Sequence, residues 1–175
     1  MQTLKTKTLN WHYFSKPTAK DIVWLKANLE VNPAVLDELT RPTVRPKVDV
    51  YDEHLYLVLH FPIFEDTARR TRAVEVDFVL TPKSLITVSY DRIAPLEDML
   101  KKCASDKSCE ELFASRTPGH LFAAVMRALY NFALRELDHI QENINRVEEK
   151  VFSLSEREEE KLLEELSMIR RDVID

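Results

Sequence analysis

Glycine is almost missing from this chain: Gly119 is the single one in 175 residues. Three common ways of building a site need glycine for positive φ or close backbone approach. These are the GxGxxG dinucleotide turn, the phosphate-cradling loop that ends in Gly-Lys-Ser/Thr, and the GxSxG nucleophile elbow. None can be written in this sequence, so those enzyme classes are excluded. No apolar run approaches the roughly 18 residues of a membrane span, and the start Met1-Gln2-Thr3-Leu4-Lys5 lacks the apolar core of a signal peptide. These absences predict a soluble, cytosolic chain. The histidines, His12, His54, His60, His120 and His139, are scattered, with no HExxH pair and none at zinc-ligand spacing from the cysteines. Each is expected to be a surface or half-buried side chain rather than a ligand. Cys103 and Cys109, in a chain without an export signal, are expected to be free thiols. No nucleophile, base and oxyanion donor can be nominated together, which predicts that the chain is not an enzyme.

What is present is a foldable balance of 45% apolar and 31% charged residues, enough for one core of ordinary size plus an appendage. The net charge of −5 is unevenly placed. Residues 131–175 hold 13 acidic and 7 basic side chains, a net of −6, which leaves +1 on residues 1–130. An acidic surface of that kind repels phosphates and attracts cations, which argues against nucleic-acid binding.

Periodicity orders the chain. Residues 4–9 alternate and predict a short strand ending near Trp11. A helix is expected from about Thr18 to Glu30. Thr18 and Asp21 make a capping-box-like start, and Ile22, Leu25 and Leu29 form its buried stripe. Pro33 suits the first position of a second short helix through Leu39. Lys47 to Tyr51 and Leu55 to Phe61 read as strands, with Pro62 ending the second. Both faces of Leu55 to Phe61 are largely apolar, which predicts a central strand covered on two sides. A charged loop over residues 65–72 precedes a hairpin of Val74 to Leu80 and Leu85 to Tyr90. Short helices follow at 96–102 and 110–114.

From about Pro118 the pattern becomes purely helical. Leu121, Val125, Leu129, Phe132, Leu137, Ile140, Ile144, Val147 and Val151 line one seam, and Leu162, Leu166, Ile169 and Val173 line a returning helix. Ser155 with Glu158 supplies the cap between them. The expected fold is therefore an α+β or α/β domain over residues 1–117, an α/β/α sandwich with a mixed or antiparallel sheet. A protruding antiparallel helical hairpin over 118–175 follows it. The pattern is still running at Ile174-Asp175, with no cap, glycine or proline, which suggests a longer protein cut there.

The residues also carry a family resemblance. Arg45-Pro46-Lys47-Val48-Asp49-Val50-Tyr51-Asp52-Glu53-His54-Leu55-Tyr56-Leu57-Val58-Leu59 resembles a strand pair of the CorA family of magnesium channels. Glu75-Val76-Asp77-Phe78-Val79-Leu80 with Ser84-Leu85-Ile86-Thr87-Val88 resembles the hairpin that follows it there, and Pro33 to Leu39 the helix before it. Asn143 to Glu149 and onward to Ile169-Arg170-Arg171 resembles that family's next helix pair. The resemblance covers nearly the whole chain in the right order.

It implies an N-terminal cytosolic α/β/α domain and a hairpin, then a stalk helix leading to two membrane spans that are not in this sequence. The family's Gly-Met-Asn motif, which follows the first span, is likewise not in it. The implied assembly is a homo-oligomer, a pentameric funnel at the cytoplasmic face of the cell membrane that conducts Mg²⁺. Divalent cations bound between cytosolic domains hold it closed. The family's adjacent acidic pair falls on Asp37-Glu38 with the order reversed, making these the candidate metal-sensing residues between subunits. Mg²⁺ prefers carboxylate and water oxygens, which suits an exposed acidic pair. A further family acid falls on Arg127, whose guanidinium would repel a metal and could instead pair with Asp37 or Glu38. Binding of Mg²⁺ or another divalent cation by this chain alone is expected to be weak. Two other readings stand beside this one: the cytosolic domain of a zinc-transporting relative, and a soluble scaffold that binds partners through its helical hairpin.

Overall fold

The first helix starts where the sequence places it. In a computed structural model that describes residues 1–6, 8–43, 45–65, 70–106, 117–151, 166, 167 and 170, α1 spans Ala19–Asn28 behind Thr18. Both halves of the capping box form: Thr18 N–H donates to Asp21 Oδ2 at 2.9 Å, and Asp21 N–H donates to Thr18 Oγ1 at 3.4 Å. The backbone and side-chain hydrogen bonds from Thr18 hold the Asp21 carboxyl below its ordinary pKa. Its contribution to stability is therefore present above the ordinary carboxylate range and is lost as pH falls through the depressed value. Thr18→Ala is expected to cost about 1 kcal/mol at pH 7, read as a lower urea midpoint, with a smaller difference in acid.

Lys16, two residues before this cap, has φ of 51°, a left-handed conformation usually left to glycine. Its amide is held by the Ser89 carbonyl at 2.7 Å. Helix α2, Pro33–Glu38, begins with proline at its first position, as expected, and Asn32 caps it.

Six strands form one mixed sheet in the order β1-β2-β6-β5-β4-β3. They are β1 Gln2–Lys5, β2 Asn10–Ser15, β3 Lys47–Val50, β4 Leu55–Glu65, β5 Arg70–Leu80 and β6 Ser84–Ser89. Strands β2 and β6 run parallel, while β1 with β2, β3 with β4, and β5 with β6 are antiparallel. Helix α3 is Ala94–Ser105, and α4 is Pro118–Val151, 34 residues and so about 51 Å at roughly 1.5 Å per residue.

Phe14, Tyr56, Val58, Val79, Ile86 and Val88 from the strands pack with Leu25, Val35, Leu36 and Leu39 on the α1 and α2 side. Side chains alternate across a strand, so Trp11, Tyr13, Phe78, Leu85 and Thr87 point to the other face. There Phe122 of α4 meets Phe78 edge-on at 5.2 Å, and Trp11 Nε1 donates to Thr87 Oγ1 at 3.1 Å. The sheet is thus covered on both sides, as its two apolar faces predict. By internal contacts the chain divides into two units, Met1–Phe61 with Val74–Leu129, and Pro62–Ala73 with Tyr130–Asp175.

Several expectations are corrected. The single N-terminal strand is two, because Thr6 makes a turn of its own. Its hydroxyl donates to the Leu9 carbonyl at 3.1 Å and accepts the Leu9 amide at 3.1 Å, competing with the ladder. Pro62 does not end β4, which continues to Glu65. Proline lacks only its own N–H and is accepted wherever that group has no ladder partner to serve. Strand β5 opens at Arg70, earlier than the charge pattern suggests.

Cys103 is disulfide-bonded rather than a free thiol, so the compartment argument fails for it. Cys109 lies outside the described residues. His12 and His54 are buried, at 6% and 8% exposure, rather than superficial. His12 lies 4.8 Å from the Trp24 ring, and His54 stacks on Tyr51 at 4.4 Å. Burial lowers the pKa of both, with the charge of Lys5 adding to the effect at His12.

On α4, Leu137 is 54% exposed, and the buried position next to it is Glu136. Seven residues come closer than eight to whole helical turns, so Glu136 rather than Leu137 repeats the phase of Leu129. The Glu136 carboxylate is satisfied there by the Phe64 amide at 2.8 Å. The expected helix at 110–114, the cap at Ser155 and most of the returning helix lie outside the described residues. Leu166 is helical and exposed.

Candidate functional site

Asp37 and Glu38 end α2, where four terminal carbonyls of any helix lack intrahelical partners and the local potential is negative. Asp37 is open to solvent, with a side chain 74% exposed, and Lys26 of α1 reaches it at 3.0 Å. Glu38 is half-buried. Lys47 at the start of β3 meets its Oε2 at 2.7 Å, and the same ammonium meets Asp49 at 2.8 Å. Lys47 also lies 5.0 Å above the Tyr56 ring. Desolvation lowers the Lys47 pKa, but the hydrogen bonds and charges of Asp49 and Glu38 outweigh it and the net shift is upward. An open groove of about 450 Å³ runs beside the pair, lined by Asp37, Glu38, Arg41, Pro42 and Thr43.

Behind the groove the polar contacts continue into the sheet. Thr43, just past α2, donates its N–H to both oxygens of Glu75, at 2.9 and 2.7 Å, and its hydroxyl to Oε2 at 3.2 Å. His60 Nε2 lies 3.3 Å from the same oxygen. Two residues along β5, Asp77 is fully buried, and its Oδ2 accepts from Tyr90 at 2.9 Å and, more weakly, from Tyr56 at 3.5 Å. Glu75 and Asp77 read in sequence as the polar face of an alternating strand. The signal that places them inside is on their neighbour: Tyr56 and Val58 make the matching face of β4 apolar, so charges on β5 cannot reach water there.

Arg127 lies exposed on α4, whose Phe122 packs on the sheet face away from α1 and α2. Within one chain the partners of Asp37 and Glu38 are Lys26 and Lys47, and Arg127 is not brought to them. Among the described residues, no three histidine, cysteine, aspartate or glutamate side chains are grouped to hold a metal ion. The acidic pair therefore offers two carboxylates, too few oxygens by themselves for a hard cation with six ligands.

The family model described as "CorA-like Mg2+ transporter protein" matches residues 6–175. The chain belongs to this family. No curated protein sequence matches it. Among solved structures, the soluble domain of CorA from Methanocaldococcus jannaschii superposes with a TM-score of 0.79 at 16% identity, covering 95% of this chain and 63% of that one. The complete CorA magnesium transporter of the same organism gives 0.76 at 16% identity, over 95% of this chain and 50% of that one. The ZntB cytoplasmic domain from Vibrio parahaemolyticus RIMD 2210633 gives 0.67 at 17% identity, over 96% of this chain and 65% of that one. These likenesses show a shared fold, and this CorA-like chain spans between half and two thirds of the length of those relatives. No helix among its described residues is long and apolar enough to cross a membrane.

Proposed function

We propose that this chain is the cytosolic regulatory domain of a CorA-like divalent-cation transporter. It senses intracellular Mg²⁺ and gates a pore formed by residues beyond this sequence. The observation that carries the reading is the acidic pair at the exposed end of α2, in a chain of this family. Asp37 and Glu38 each have one lysine partner at the domain surface, so a divalent cation can compete for both carboxylates. The exposed Lys26–Asp37 pair contributes about 0–1 kcal/mol, so its loss opposes metal binding only slightly. The remaining ligands would come from water and from a neighbouring subunit of a homo-oligomer, a pentamer by family resemblance, at the cytoplasmic face of the membrane.

Arg127 stands at the position of a family acid and is exposed, so it remains available to a neighbouring subunit. A guanidinium in such an interface replaces a metal bridge with a salt bridge to Asp37 or Glu38 and weakens Mg²⁺ binding. The role proposed is binding and gating, with no catalytic step. The first test is the gene itself: two runs of about 20 apolar residues are expected after Asp175. Their absence would leave the soluble scaffold as the better reading. In calorimetry the isolated chain is expected to bind Mg²⁺ only at millimolar concentration, because one subunit supplies half of the site. Tight, micromolar binding to the monomer would contradict the shared-site reading.

A further inference from the structure

Glu75 and Asp77 are used by nothing above, yet they are among the least exposed charged side chains, at 5% and 0%. Their surroundings are unequal. Every polar contact of Glu75 from outside β5 can come from a donor: the Thr43 amide to both oxygens, the Thr43 hydroxyl, and His60 Nε2. That is the environment of an ionised carboxylate. Asp77 receives the Tyr90 and Tyr56 hydroxyls on Oδ2 alone, and its Oδ1 is buried without a hydrogen-bond partner. Among the described residues no lysine or arginine forms an ion pair with either acid. The Lys47 ammonium, which lies over the ring of Tyr56, is taken up by Glu38 and Asp49. Two buried acids with no lysine or arginine partner share one net charge far more readily than they hold two.

We propose that Glu75 and Asp77 are a proton-binding pair that fixes the segment at Thr43, so that the groove beside α2 responds to pH. The proton resides on Asp77, and Glu75 as the anion grips the Thr43 amide. The groups facing the pair are Tyr56 and His60 from β4, Tyr90 after β6, Thr43 after α2, and Glu38 of α2, whose carbonyl is 3.4 Å from the Tyr90 hydroxyl. Burial first, and the charge of Glu75 second, push the Asp77 carboxyl up to about 8. Both tyrosines are raised above their ordinary range, burial again leading, so they stay neutral donors. Loss of the Asp77 proton sets a second negative charge beside Glu75. The part best able to yield is the Thr43 tether, since the strands are fixed by their ladders.

This inference stands whether or not the groove binds a cation. Its test is a pH titration of the 175-residue chain by NMR, following the Asp77 side-chain carboxyl carbon and the Thr43 backbone amide. Both are expected to move together with a midpoint of about 8. Asp77→Asn, which removes the titrating carboxyl and keeps its shape, is expected to abolish the Thr43 transition. Tyr90→Phe, which removes a hydrogen bond that favours the anion, is expected to raise the midpoint. An Asp77 carboxyl that titrates in the ordinary carboxylate range, below about 5, would overturn the proposal. So would a Thr43 transition that persists unchanged in Asp77→Asn, or a Tyr90→Phe midpoint that stays or falls.

Discussion

Val58→Asp is expected to unfold the domain. Val58 is fully buried in β4 among Phe14, Leu25, Val35 and Ile86, and the lysine opposite it on β3, Lys47, is already held by Glu38 and Asp49. Burying the charge, or protonating it to avoid doing so, costs roughly 3 kcal/mol or more, a large part of the 5–15 kcal/mol that holds an ordinary domain together. Leu57→Asp on the opposite face of the same strand is expected to do the same, because Leu57 is only 8% exposed. Val50→Asp on β3 is the control: that side chain is 80% exposed and its replacement should change stability by no more than about 0.5 kcal/mol. Thermal melting of the three variants checks the layer order. A protein that tolerates aspartate at either 57 or 58 would show that one face of β4 is open to water.

The elements that were legible in the sequence are those set by local chemistry. Thr18 with Asp21, and Pro33 at the head of α2, fix boundaries through short-range hydrogen bonds or a fixed φ, and both are found where expected. The double-sided covering of β4 was legible because both of its faces are apolar. What failed depends on distant partners. Helical period puts Glu136 in phase with Leu129, but a charge is tolerated at that buried position because the Phe64 amide, 72 residues away, donates to it, and the local pattern does not reveal that partner. Glu75 is likewise held by Thr43, 32 residues earlier. Thr6 failed for the opposite reason: a side chain able to bond its own backbone overrode an alternating pattern. The acidic pair at 37 and 38 was legible only through family resemblance. Composition alone gives it no distinction from other exposed acids, and its lysine partners arrive from α1 and β3.

The other large effect concerns the full-length transporter that the proposed function implies. Removing both carboxylates in Asp37→Ala with Glu38→Ala takes away one subunit's share of each cation site. Lys26 is then left without its carboxylate partner, and Lys47 keeps Asp49 alone. A ligand biases a conformation by no more than its differential affinity for the two states, so the closed state should lose the Mg²⁺ contribution. A shift of about tenfold or more in the inhibiting concentration corresponds to about 1.4 kcal/mol or more of lost coupling. Under the same proposal Arg127→Asp should act in the opposite sense, because it exchanges a repelling guanidinium for another oxygen ligand.

The measurement that bears most directly on this account is current through the full-length protein against internal Mg²⁺ concentration, for wild type, the Asp37→Ala/Glu38→Ala double variant and Arg127→Asp. The account predicts inhibition by internal Mg²⁺ in the wild type, a curve displaced to at least about tenfold higher Mg²⁺ in the double variant, and a curve displaced to lower Mg²⁺ in Arg127→Asp. Superimposable inhibition curves for wild type and double variant would contradict it, because the acidic pair at the end of α2 would then play no part in sensing.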